Sequence, residues 1–176
     1  MTRAELEHAI RAACDVARDT EVYVFGSQAI LSQFPDAPPE LRQSAEADIA
    51  PKNHPERADE IDATLGELSM FHSTHGFYVH GLSIETAILP AGWEARAQVI
   101  QNGNTRKNRG ICVEAHDLAA SKLVAFREKD RAFVRTLLIE RMVDCDRLTE
   151  VIRSLPIAVG ERERLVSWVQ LTAREG

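Results

Sequence analysis

The feature that most constrains the fold is a pair of short β-forming runs set in a chain whose remaining apolar residues recur at helical spacing. Glu21-Val-Tyr-Val-Phe25 is rich in β-branched and aromatic residues and stops at Gly26; Ala45 to Ala50 is a second such run, ended by Pro51. Before the first run, Leu6, Ile10, Ala13, Cys14 and Ala17 mark one face of a helix over residues 2–18. After the second, Ile61, Leu65 and Leu68 mark one face of a helix over 55–71. A helix is also expected to open at Ser27 and to be broken by Phe34-Pro-Asp-Ala-Pro-Pro39. Residues 77–88 read as one or two strands bent at Gly81, and 95–100 and 110–114 as strands flanking the polar tip Gln101-Asn-Gly-Asn104. From Asp117, the expected N-cap, the chain reads as helices with breaks near Lys129-Asp130, Asp144 and Pro156. This order predicts an α/β (α+β) fold: a short mixed sheet with packed helices over residues 1–115, and a helical C-terminal part over 116–176 packed on that core.

Composition narrows the classes of function. Cys14, Cys112 and Cys145 are odd in number and lack CxxC spacing, so they suggest neither a disulfide framework nor a zinc site. The N-terminus has no apolar signal core, and no apolar run approaches the ~20 residues of a membrane helix, which points to the cytoplasm and away from membranes. A net charge of −6 argues against a general nucleic-acid coat but leaves room for a local basic surface, such as Thr105-Arg-Lys-Asn-Arg109. His72 and His75, at i and i+3, lack a third ligand at suitable spacing and read as surface histidines.

The chemistry-bearing residues cluster around the two strands. Gly26-Ser27 ends an apolar strand and opens a helix, where a glycine admits close backbone approach and a helix N-terminus favours anions. Glu46 and Asp48 stand at i and i+2 of the next strand, so both carboxylates point to one face. Two carboxylates side by side repel, and a divalent cation with oxygen ligands removes the repulsion while keeping positions for water and phosphates.

Together, Gly26-Ser27 and Glu46-Ala47-Asp48 resemble the nucleotidyltransferase pattern. The sequence departs from the common form in the long spacer of residues 28–45 and in having Glu, not Asp, as the first acid. The stretch from Ser121-Lys-Leu123 to Asp130 resembles the Lys-Leu…Arg-x-Lys-Asp region of AbiEii-type nucleotidyltransferases, the toxin halves of bacterial toxin–antitoxin pairs. This resemblance implies Mg²⁺ on Glu46 and Asp48, an NTP whose phosphates meet Gly26 and Ser27, and active-site roles for Lys122 and Asp130. It implies a third carboxylate from a later strand, for which Glu85 is the first candidate and Glu114 the second. It further implies a tRNA end or a protein side chain as acceptor and a cognate antitoxin as partner. Lys122 and Asp130 are eight positions apart, ~12 Å on a continuous helix, so a shared site requires a break between Arg127 and Asp130. The alternative function is a nucleotidyltransferase-fold binding module that has lost catalysis and acts through a protein partner.

Overall fold

The computed structural model describes residues 1–175. The chain divides into two compact units, the first formed by Met1–Thr86 with Ala97–Val113, the second by Ala87–Arg96 with the chain from Glu114 onward. The fold is mixed α/β with one five-stranded mixed sheet, as expected from the sequence.

The first unit opens with α1 (Arg3–Ala17), whose start is set by a capping box: Glu5 N–H donates to Thr2 Oγ1 (3.2 Å) and Thr2 N–H to Glu5 Oε2 (2.6 Å). Strands β1 (Glu21–Val24), β2 (Glu46–Pro51), β3 (Tyr78–Gly81), β4 (Gln98–Ile100) and β5 (Arg109–Cys112) form a sheet in the order β3-β2-β1-β5-β4. β1 pairs antiparallel with β2 and parallel with β5; β2 pairs parallel with β3, and β4 antiparallel with β5. Alternation gives the sheet two distinct faces. Val22, Val24, Ala47, Ile49 and Val79 are fully buried. Their face carries α1 and α2 (Ala58–Leu65), since a side chain at Gly110 would meet Ile10 and one at Gly81 would meet Ile61.

Several local expectations are corrected. The helix expected at Ser27 is a 3₁₀ segment, Ser27–Ser32, and another 3₁₀ turn, Pro39–Leu41, follows within the proline-rich loop. The helix expected over 55–71 is split into α2 and α3 (Met70–His75). Between them Leu68 adopts a left-handed φ of 65° and is 90 % exposed, so it does not continue the apolar face of Ile61 and Leu65. The β4–β5 tip is turned by Arg106 and Lys107, with φ of 52° and 63°, not by Asn102-Gly103. Asn102 instead organises the loop from within, its Oδ1 accepting from the N–H groups of Asn104 (2.9 Å) and Thr105 (3.1 Å).

The second unit is helical: α4 (Trp93–Arg96), α5 (Ala115–Ala125), α6 (Glu128–Ile139), α7 (Cys145–Arg153) and α8 (Val159–Thr172). The N-cap of α5 is Glu114, not Asp117, and it accepts from His116 N–H at 2.9 Å. Asp117, fully buried, accepts two hydrogen bonds from the Arg96 guanidinium (2.9 and 2.7 Å), which ties α4 to α5. Burial alone would raise Glu114, yet hydrogen bonds from His116 and nearby positive charge bring its carboxyl down to about 2. A carboxyl depressed from its ordinary 4.5 contributes stability above that pH and loses it as pH falls through about 2. Glu114→Gln is therefore expected to lower stability on the order of 2 kcal/mol at pH 7, with the gap to the parent closing between pH 4.5 and 2. Thermal denaturation across that window measures it.

Candidate active site

Glu46, Asp48, Tyr78 and His80 share the sheet face opposite α1 and α2. Parity sets this: Ala47 and Ile49 turn into the core, so Glu46 and Asp48 turn away from it. In the parallel register of β2 with β3, Glu46 faces Tyr78 and Asp48 faces His80. Tyr78 Oη donates to Glu46 Oε2 (3.0 Å), and His80 Nδ1 lies 2.9 Å from Glu46 Oε1 and 3.2 Å from Asp48 Oδ1. Among the described residues, one donor atom each from Glu46, Asp48 and His80 falls within 4.8 Å of the others, a grouping that could hold a metal ion.

The electrostatics are those of two acids forced together. Burial pushes Asp48 up to about 6, reinforced by the hydrogen bond with Glu46 and its charge and opposed by His80. Burial also works against the charged form of Glu46, but hydrogen bonds with Asp48, Tyr78 and His80 outweigh it and hold Glu46 below the usual range. Burial and the bond to Glu46 push Tyr78 up to about 12, so its hydroxyl stays a donor. The pair thus resists carrying two full negative charges without compensation. An arriving cation would supply that compensation, and carboxylate oxygens are fitting ligands for it.

The Gly26-Ser27 turn lies against Asp48. Gly26 has φ −80° and ψ −172°, a conformation open to any residue. A methyl group there would nevertheless overlap Asp48 Oδ2 and stand 2.7 Å from its Cγ. Phe25 N–H donates to the Asp48 carbonyl (3.2 Å), which fixes the end of β1 beside β2. Because the segment after the turn is a six-residue 3₁₀ stretch, its contribution to anion binding would come from local N–H groups and the Ser27 hydroxyl, not from an α-helix dipole.

The position beside Glu46 and Asp48 on the neighbouring strand is filled by His80. Glu85 lies beyond β3 on the 3₁₀ turn Ile84–Thr86, exposed, its N–H donating to Ser83 Oγ at 3.3 Å. Glu114 caps α5 in the second unit. There the chain also brings Lys122 and Asp130 together, Nζ to Oδ1 at 3.5 Å. The break that allows it is at Phe126, left-handed at φ 52°, and Arg127 is the N-cap of α6. Asp130 is N3, fully buried; burial disfavours its charge, but Arg127 and Lys122 hold its pKa down. Of the discounted residues, His75 rests in an aromatic cluster with His8, Phe71 and Phe77, and Arg106 and Arg109 pair with Asp15 and Glu21.

His80 and Tyr78 are the site residues that reading the sequence missed. The available signal was the same one that marked Glu46 and Asp48: two polar residues at i and i+2, Tyr78 and His80, alternating with the apolar Phe77 and Val79. Alternation shows that they share a face, but not which strand that face adjoins.

With this geometry in place, the comparison with known families is decisive. Residues 4–173 match the family described as "Nucleotidyltransferase of unknown function (DUF6036)". The chain belongs to this family. No curated protein and no solved structure matches the chain. Membership agrees with the broad nucleotidyltransferase resemblance and with an enzyme of that superfamily. No helix among the described residues is long and apolar enough to cross a membrane.

Proposed function

We propose that the protein transfers a nucleoside monophosphate from an NTP to a hydroxyl group. The observation that carries this reading is the pair Glu46 and Asp48, crowded on one sheet face, with Asp48 pressed against the Gly26 turn. In the reaction an acceptor oxygen forms a bond to the α-phosphorus, the bond from that phosphorus to the β-phosphate bridging oxygen breaks, and pyrophosphate leaves. The acceptor's proton passes to water.

Glu46 and Asp48 would hold a divalent cation, Mg²⁺ by the family resemblance, which neutralises phosphate charge and sharpens the nucleophile when bound. The fit rests on the donor set and on the mutual repulsion of the two acids described above. Gly26 lets the turn pack against the Asp48 carboxylate, from where its backbone N–H groups would meet the β- and γ-phosphates, and Ser27 would add a hydroxyl to them. By the AbiEii-type resemblance alone, Lys122 would offset charge on those phosphates; within its own unit it pairs with Asp130 at 3.5 Å. The AbiEii-type resemblance supports an RNA end, such as that of a tRNA, or a protein side chain as acceptor, and a cognate antitoxin as partner.

A binding module without catalysis is the second reading, favoured by the Glu at position 46 and the long 28–45 spacer. Incubation with each α-labelled NTP, a divalent cation and total cellular RNA or protein separates the two. Label transferred to a macromolecule is the expected result; NTP binding without transfer would establish the module, and no NTP binding would sink both.

Lys122→Ala is expected to slow transfer by ~10²-fold. It also removes one cation from the buried Asp130 and a contact over the Phe133 ring at 4.7 Å. Arg127 remains on Asp130 at 2.7 Å, so the stability loss is expected to be only ~1–2 kcal/mol. Equal activity in parent and variant, measured well below the melting temperature, would remove Lys122 from the proposed mechanism.

A further inference from the structure

We propose that His80 is the third protein ligand of the cation held by Glu46 and Asp48, and that its imidazole gives this site a preference for a first-row transition ion such as Mn²⁺ over Mg²⁺. The inference rests on the metal-site reading above and adds the identity of one ligand and the selectivity that follows from it.

The spacing points to coordination. Ligands about 2.0–2.2 Å from an octahedral ion lie roughly 3.0 Å apart when they occupy adjacent positions. His80 Nδ1 stands 2.9 Å from Glu46 Oε1 and 3.2 Å from Asp48 Oδ1, both close to that edge length. Nδ1 faces one oxygen from each of two acids, and the other oxygen of Glu46 accepts from Tyr78, so Glu46 Oε1, Asp48 Oδ1 and His80 Nδ1 form the donor set. The three donors lie within 4.8 Å of one another, at positions fixed by the β2–β3 register. The His80 side chain is 41 % exposed, so its ring is reachable by an ion from solvent.

The selectivity follows from the donor type. Mg²⁺ prefers oxygen ligands and retains its water, whereas an imidazole nitrogen suits transition ions better. Two carboxylates and one imidazole on one side of the ion would leave its remaining positions for water and for phosphate oxygens.

Mn²⁺ is the probe, because its binding can be read by electron paramagnetic resonance without turnover. The parent protein is expected to bind Mn²⁺ saturably, with a ¹⁴N coupling in pulsed spectra that is replaced by a ¹⁵N coupling when the protein is made with ¹⁵N-histidine. His80→Gln, checked for folding by circular dichroism, is expected to lose that coupling. In His80→Asp, the Mg²⁺ concentration that displaces half of the Mn²⁺ is expected to fall roughly ten-fold relative to the parent. Saturable Mn²⁺ binding that Asp48→Asn weakens, but without nitrogen coupling in the parent, would overturn the His80 assignment and leave the carboxylate site standing. Nitrogen coupling with no change in Mg²⁺ competition in His80→Asp would overturn the selectivity. Absence of saturable Mn²⁺ binding, or binding indifferent to Asp48→Asn, would overturn the metal site itself.

Discussion

Asp48→Asn is expected to reduce nucleotidyl transfer by roughly 10²–10³-fold while leaving the metal-free protein as stable as the parent or more so. Activity falls because one of the two carboxylates that would hold the cation becomes a neutral amide. Stability moves the other way. Asp48 titrates near 6 in the folded chain against an ordinary 3.8, so the folded state holds its proton more tightly than the unfolded state. That difference costs nothing below pH 3.8, grows as pH rises, and is complete above about 6. Partial exposure and the opposing shift of Glu46 reduce the effect to on the order of 1 kcal/mol. With chelator present, the variant should therefore melt higher than the parent at pH 7.5 and together with it at pH 3.5. Adding a divalent cation should raise the melting temperature of the parent only. Full activity in Asp48→Asn would mean that these carboxylates are not the cation ligands.

Gly26→Ala should be nearly as damaging to activity, for a purely steric reason. The backbone at Gly26 is in ordinary extended territory, so alanine introduces no dihedral strain. The obstacle is the Asp48 carboxylate, which the new methyl would overlap. Either the carboxylate swings out of its place beside Glu46 and His80, or the turn lifts off the strand. A stability loss of ~1–3 kcal/mol is expected from the overpacking. Combining it with Asp48→Ala should restore part of that loss, because Oδ2 and Cγ are gone and only the Cβ contact at 2.9 Å remains. A double-mutant cycle on melting free energies would show the coupling. Additive losses, or a Gly26→Ala enzyme with normal turnover, would separate the turn from the carboxylates and remove the reason for a glycine there.

The extent to which the site was legible differs from residue to residue. Glu46 and Asp48 could be placed on one face because period-two alternation with Ala47 and Ile49 is written in the chain itself. The Gly26 turn could be found because an apolar run ends there. His80 stands 32 positions beyond Asp48, and only the pairing of β2 with β3 brings it within 3.2 Å. Asp117 looked like a cap because it is an acid near the start of a helix. Glu114 takes that role because Asp117 is buried against Arg96, 21 positions earlier, and a carboxylate engaged bidentately with a guanidinium is no longer available to the helix end.

Local chemistry by itself determined the start of α1, through the Thr2–Glu5 box, the alternation in β1 and β2, and the need for a break between Lys122 and Asp130 if the two are to meet. These depend on contacts a few residues long, whose energies are present in any context. Tertiary structure decided where the break falls, at Phe126, and that Leu68 leaves its helix face for solvent. It also decided that an imidazole, and not a third carboxylate, stands next to Glu46 and Asp48. The physical reason is that strand register is set by burying Ile49, Val79 and their neighbours beneath α1 and α2, and polar residues on the opposite face go wherever that packing carries them.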